Sequence, residues 1–83
     1  MYIVYMLRCA DMSLYTGISN NLEQRLKMHR DGQGSKYVRT RLPVELVYSE
    51  EQPTKSLALQ REFALKQLSK AQKEALLEAY SPS

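Results

Sequence analysis

Residues 1–30 read MYIVYMLRCADMSLYTGISNNLEQRLKMHR, and the architecture follows from how this run folds back on itself. Tyr2 to Leu7 is short, aromatic and β-branched, and apolar throughout, the pattern of a strand covered on both faces. Leu14 to Ser19 reads as a second strand with a glycine inside it. Side chains alternate between the two faces of a strand, so the connection between the runs decides which residues share a face. A loop of two or four residues sends Tyr5 and Tyr15 to opposite faces. A three-residue loop (Ala10, Asp11, Met12) pairs Cys9 with Ser13 and Tyr5 with Gly17, and makes Tyr5 and Tyr15 diagonal neighbours. That register is the expectation. Three-residue hairpin loops are common, although no glycine is present here to take a left-handed conformation. A bare Gly17 opposite Tyr5 leaves room for the phenol ring or for a ligand.

A helix follows, capped by Asn20 or Asn21 and running to Arg30 or Asp31. Leu22 and Leu26 mark its buried side. At roughly 100° per residue, Arg25 and His29 lie one turn apart at the edge of that side, while Lys27 and Arg30 project into solvent. Gly32 and Gly34 end the helix. Ser35 to Arg41 is short and basic and contains Tyr37. After Pro43, Val44 to Tyr48 reads as a third strand, and Glu50-Glu51-Gln52-Pro53 as a polar break.

A second helix is expected from Thr54–Ser56 to about Leu68. Leu57, Ala64, Leu65 and Leu68 form one stripe and Leu59 with Phe63 another, which predicts burial against the sheet and against another helix. Tyr2, Tyr48 and Phe63 are assigned to the core. Glu62 falls at the margin, beside Ala58 and Leu65. Ser69 and Gln72 make a capping-box pattern for a third helix, packed through Ala71, Ala75, Leu76 and Ala79. Tyr80 to Ser83 reads as a fraying end. The order ββαβαα over residues 1–83 predicts a single domain of the α/β class, a small three-stranded antiparallel sheet flanked by helices.

Composition narrows the function. The chain has 83 residues with 43% apolar content, enough for one modest core and too apolar for disorder. No apolar run reaches the roughly 18 residues of a membrane span, and no secretory signal is read at the start. Cys9 is the lone cysteine and His29 the lone histidine, so neither a disulfide nor a structural zinc site is expected, and a reducing cytoplasm fits. Residues 1–41 hold seven Lys/Arg against three Asp/Glu, and residues 42–83 five against six, so the net charge of +3 comes from the first half. Arg25, Lys27, Arg30, Lys36, Arg39 and Arg41 are opposed within residues 24–41 only by Asp31, an electrostatic footprint suited to phosphate backbones.

These residues resemble the GIY-YIG endonuclease superfamily, named for two short motifs on a hairpin. The first is similar to Ile3-Val4-Tyr5 and the second to Tyr15-Thr16-Gly17. The family's helical arginine matches Arg25, its following His or Tyr matches His29, and its metal-binding glutamate matches Glu62 in the run Ala58-Leu59-Gln60-Arg61-Glu62. The pattern spans residues 2 to about 68, is similar in size to the nuclease half of excinuclease C, and looks closest to the small stand-alone bacterial members. Two departures stand out. The first motif lacks its glycine and isoleucine. Many members also carry an asparagine after the glutamate, whereas no Asn follows Asn21 here; Lys66, Gln67 and Gln72 are the polar substitutes available.

The resemblance implies a metal-dependent DNA endonuclease, in repair or in processing of structured DNA. Glu62 would hold one Mg²⁺ or Mn²⁺ ion, which keeps most of its water shell. Arg25 would neutralise charge at the phosphorus, since a guanidinium binds phosphate bidentately. The proton chemistry stays open at this point. The family implies a tyrosine base, Tyr5 or Tyr15, but a free phenol near pKa 10 needs neighbouring positive charge, and His29 is the easier proton carrier. Lys27, Arg30, Lys36, Tyr37, Arg39 and Arg41 are the candidate nucleic-acid contacts, with basic and aromatic residues suited to phosphate contact plus stacking. With no recognition helix or arm, the expected preference is for DNA structure rather than sequence. The alternative is a non-catalytic nucleic-acid-binding module that retains the fold. In that case Tyr5 and Tyr15 serve the core and Glu62 forms an i,i+4 pair with Lys66.

Overall fold

The computed structural model describes residues 1–80, so of the fraying end expected over Tyr80 to Ser83 residues 81–83 lie outside the described residues, while Tyr80 does not fray but packs on Tyr48 and hydrogen-bonds Ser49. Strands β1 (Tyr2–Arg8), β2 (Leu14–Ser19) and β3 (Glu45–Gln52) form one antiparallel sheet in the order β2-β1-β3. Helices α1 (Leu22–Arg30), α2 (Lys36–Arg39), α3 (Lys55–Lys66) and α4 (Lys70–Ala79) complete the chain. The expected sheet and its three main helices are therefore present. The single turn of α2 is an addition. Its four residues are too short to show a helical period. Ser35 starts the turn by accepting the Val38 N–H, and the buried Val38 anchors it.

The hairpin has the expected register: Tyr5 pairs with Gly17, and the Cys9 N–H donates to the Ser13 carbonyl at 2.9 Å. Met12 takes the left-handed position of the loop (φ 70°) that a glycine would favour. Asp11 compensates locally. One carboxylate oxygen accepts from the Ser13 N–H at 3.0 Å, and the other accepts from Arg41 Nε at 3.0 Å.

Because β1 is central, its alternate residues feed two separate cores. Val4 and Met6 pack with Tyr48, Ala58 and Leu65 under α3 and α4. Tyr5 and Leu7 pack on the other face with Val38, Leu22 and Leu26, under α1 and α2. Asn21 caps α1 by accepting the Gln24 N–H at 3.2 Å. At the other end, Gly32 (φ +80°) and Gln33 donate to the carbonyls of His29 and Met28, the Schellman arrangement.

Three expectations about packing are corrected. The buried side of α3 is Ala58, Arg61, Glu62 and Leu65, not Leu57 and Ala64, which are exposed. Phe63 is 67% exposed and Leu59 45%, so their stripe is not covered and Phe63 is not a core residue. Apolar positions alone could not tell which of the two stripes meets the sheet, and α4 packs elsewhere. On α4 the packing residues are Leu76 and Leu77, with Tyr80 beyond it, whereas Ala71, Ala75 and Ala79 face solvent. Helix α4 is oriented by Arg8, whose guanidinium grips Glu74 with two 2.6 Å hydrogen bonds. Lastly, Glu50, Glu51 and Gln52 continue β3 instead of breaking it. As an edge strand it tolerates charge. The Glu50 carboxylate accepts hydrogen bonds from Tyr48, Gln52 and Arg61, the last at 2.8 Å, which ties β3 to α3.

Candidate active site at the Gly17 edge of the sheet

The Tyr5 hydroxyl and His29 Nε2 are hydrogen-bonded at 2.8 Å, and each residue is only 1% exposed. The helical spacing explains the meeting: His29 lies on the buried side of α1, over the sheet face to which Tyr5 points. Tyr15 completes an aromatic cluster, its ring centroid 6.4 Å from that of Tyr5 and 5.3 Å from His29. Two glycines make room for the pair. A Cβ on Gly17 would stand 2.7 Å from the Tyr5 hydroxyl oxygen, and one on Gly34 would stand 2.5 Å from His29 Nδ1. Gly34 thus does more than end a helix, a role that only the tertiary approach of the loop to His29 reveals.

The electrostatics bring in the other two residues. Burial pushes the Tyr5 phenol well above its ordinary value; the Tyr15 and Glu62 charges add to this, and the Arg25 charge opposes it. His29 is held below the usual histidine range by burial first and by Arg25 second. Arg25 is therefore within electrostatic reach of both members of the pair, and Glu62 of Tyr5. Glu62 comes from α3, on the opposite face from Tyr5, so the group straddles β2, an edge strand of the sheet. In the free protein Tyr5 is a neutral phenol and His29 a neutral imidazole at pH 7. His29 Nδ1 is buried without a partner.

Glu62 is part-buried and pairs with Lys66 Nζ at 3.4 Å. Among the described residues no three His, Cys, Asp or Glu side chains cluster as metal ligands. One hard carboxylate suits a cation that is otherwise coordinated by water and substrate oxygens, and does not suit a fully protein-caged ion. Of the polar substitutes for the family's asparagine, Gln72 is engaged in the capping box of α4 and Gln67 caps α3; Lys66 is the one beside Glu62.

The expected nucleic-acid contacts separate into groups. Lys27 and Arg30 line a shallow hollow on α1 with Asn21, Glu23 and Gln24, and Lys27 sits 3.6 Å from Asp31. Lys36 and Arg39 are exposed on α2. Arg41 is committed internally: it bonds Asp11, donates to the Tyr37 carbonyl at 3.1 Å, and lies 3.8 Å above the Tyr37 ring centroid. The Tyr37 ring also stacks on Tyr15, with centroids 6.1 Å apart, and Tyr37 is 39% exposed. Thr16, a member of the second motif, and Lys73 are not among the site residues expected from sequence. They line a groove with Tyr15, Tyr37 and Lys66, and the Thr16 hydroxyl is buried without a partner. Nothing in the local sequence marks Lys73, which is brought there by α4.

The profile of the GIY-YIG catalytic domain matches residues 1–75, and the chain belongs to this family of nuclease-type domains. Within it, the similar proteins are small ones named UPF0213. One from Natronomonas pharaonis is 51% identical over 76 residues, covering 92% of this chain and 89% of the relative. Another, from Oceanobacillus iheyensis, is 51% identical over 77 residues, covering 93% and 90%. The solution NMR structure of a UPF0213 protein from Bacillus halodurans aligns over 99% of this chain and 88% of its own, with a TM-score of 0.64 and 38% identity. These names state no activity. The family implies divalent-metal dependence and DNA as substrate. Among the described residues no helix is long and apolar enough to cross a membrane.

Proposed function

We propose that this protein is a metal-dependent endonuclease that hydrolyses DNA phosphodiester bonds, with Tyr5, Tyr15, Arg25, His29 and Glu62 as its catalytic residues. The observation that carries this reading is the buried 2.8 Å hydrogen bond between Tyr5 and His29, within reach of the Arg25 and Glu62 charges. A neutral His29 with Nε2 directed at the phenol can take the Tyr5 proton as Tyr5 takes one from the attacking water. This relay answers the difficulty of a tyrosine base, because the phenolate never has to accumulate. Tyr15 lines the water's approach, and Arg25 neutralises charge developing on the phosphoryl oxygens. Glu62 is the residue that would hold Mg²⁺ or Mn²⁺, which when bound supplies Lewis-acid stabilisation of the leaving 3′ oxygen.

The substrates proposed are structured or damaged DNA in the cytoplasm, recognised through the phosphate backbone. Lys27, Arg30, Lys36 and Arg39 offer exposed contacts. The test is a nicking assay with Mg²⁺ or Mn²⁺ on single-stranded, duplex and branched DNA. Wild type is expected to cut, and Glu62→Ala and Arg25→Ala to lower the rate by about 10²–10³-fold each. Activity that survives both substitutions refutes the assignment. A second reading, a binding module without catalysis, is favoured by the near-complete burial of Tyr5 and His29. It predicts salt-sensitive DNA binding with no cleavage under any metal.

A further inference from the structure

Phe63 is the chain's lone phenylalanine, and the fold leaves it 67% exposed. Leu59, one turn earlier on α3, is 45% exposed. Residues four apart lie one above the other on a helix, so the two form a single apolar spot. Lys55 precedes Leu59 by four positions and Lys66 follows Phe63 by three, and both lysines are exposed. The stripe is therefore apolar in the middle and cationic at both ends. Glu62 is the only acid on α3, and Lys66 pairs with it at 3.4 Å. Packing gives the stripe no purpose, because Ala58 and Leu65 make the contact of α3 with the sheet.

The spot is held still beside the candidate metal ligand. Thr54 caps α3 by accepting the Leu57 N–H at 3.1 Å, and Arg61 Nε donates to Glu50 at 2.8 Å. With Ala58 and Leu65 buried beneath, the Phe63 ring stands on a fixed element one residue from Glu62. A second copy of the chain is a poor occupant. Leu59 and Phe63 expose on the order of 200 Å² of apolar surface, whereas a stable interface takes about 800 Å² from each partner. Two such stripes laid together would also set lysines against lysines. A nucleic acid supplies the complement, with anionic phosphates and apolar base faces. Phe and Leu are among the side chains that enter opened base steps, and an aromatic ring stacks on any base. Opening a step costs least where the base is mismatched or unpaired.

We infer that Phe63, supported by Leu59, stacks on an unpaired base next to the phosphate brought to Glu62, so that the protein prefers DNA with an open base step to fully paired duplex. The inference deepens the nuclease reading and takes from it the placement of a phosphate at Glu62. Its test uses no cleavage. The chain has no tryptophan, so Phe63→Trp introduces a single fluorophore at the proposed contact. In EDTA, a short duplex carrying one unpaired base should quench this indole by stacking, and its fully paired counterpart should leave the emission unchanged. Leu57→Trp should not be quenched by either duplex: Leu57 is 42% exposed but lies roughly 120° around α3 from Phe63. Phe63→Ala should weaken binding of the duplex with the unpaired base about 5- to 150-fold, the loss of one stacked base, and leave binding of the paired duplex unchanged. Phe63→Trp should keep the preference. An unquenched Phe63→Trp, equal quenching by both duplexes, or equal weakening of both by Phe63→Ala overturns the inference. So does a wild-type dimer in sedimentation equilibrium that Phe63→Ala dissociates, which would assign the stripe to a second copy. Glu62-dependent cleavage alongside any of these leaves the nuclease reading standing. The expected quenching with no cleavage under any metal leaves the base contact standing alone.

Discussion

Replacing Gly17 by alanine tests the central geometry with one methyl group. The backbone at Gly17 is outside the left-handed region, so the substitution adds no conformational strain and its whole effect is spatial. The new Cβ would stand 2.7 Å from the Tyr5 hydroxyl oxygen, 2.8 Å from its Cζ and 3.1 Å from Tyr15 Cε2. Tyr5 cannot swing aside freely, because it is 1% exposed and packed against Leu7 and Val38. Overpacking of this kind costs about 1–3 kcal/mol. Moving the ring also stretches the 2.8 Å bond to His29, whose loss adds about 0.5–1.5 kcal/mol. The expected destabilisation is about 1.5–4.5 kcal/mol, against a total of roughly 4–12 kcal/mol for a domain of this size. Guanidinium denaturation followed by far-ultraviolet circular dichroism measures it. Gly17→Ala combined with Tyr5→Phe should be less destabilised than the sum of the two, by at least about 0.5 kcal/mol, because the nearest clashing atom is gone. Under conditions where Gly17→Ala is folded, cleavage should fall about 10²-fold, the effect of misplacing a reacting group by about 1 Å. A loss below about 0.5 kcal/mol, or additivity with Tyr5→Phe, would refute the idea that Gly17 makes room for Tyr5.

The remaining expectations concern packing, capping and pH. Leu65→Ala should cost about 2–5 kcal/mol whereas Phe63→Gln should stay within about 0.5 kcal/mol, a contrast that denaturant midpoints read directly. Gly32→Ala forces a side chain into the left-handed position that closes α1 and should cost about 1–2 kcal/mol, seen as a lower Tm in calorimetry. His29 has a folded pKa below its ordinary 6.5, so the unfolded chain binds the proton first. Its contribution to stability is therefore fully present above about pH 6.5 and is lost as pH falls through the depressed folded value. Denaturant midpoints should drop between pH 7.5 and 5.5 in wild type and stay flatter in His29→Gln. An equal drop in both would assign the effect to other groups.

Much of the site was legible because strand and helix periods are local. The two-residue alternation of β1 and β2, with a three-residue loop, was enough to put Tyr5 opposite Gly17. The 3.6-residue period put Arg25 and His29 on one side of α1. The packing of α3 and α4 was not legible in the same way. Leu59 and Phe63 have the same spacing and apolarity as a buried stripe, and only the docking of Ala58 and Leu65 on Val4 and Met6 leaves them in solvent. Glu50 and Glu51 read as a break because charge usually marks one, yet β3 is an edge strand and Arg61 neutralises Glu50.

By itself the sequence determined the hairpin register and the capping box at Ser69, and narrowed the other caps to Asn20 or Asn21 and to Thr54–Ser56, because these depend on residues close together along the chain. Only the tertiary structure decided that Tyr5 and His29 would share a hydrogen bond and that Gly34 would close over the imidazole. It also decided that the Tyr37 ring would meet both Arg41 and Tyr15, and that lysines from two helices would line a groove along β2. These are contacts between segments far apart in sequence, selected by how whole elements pack, and no local period encodes them. The opening pair of tyrosine motifs marks the candidate site, while burial is the main influence on the protonation of Tyr5 and His29.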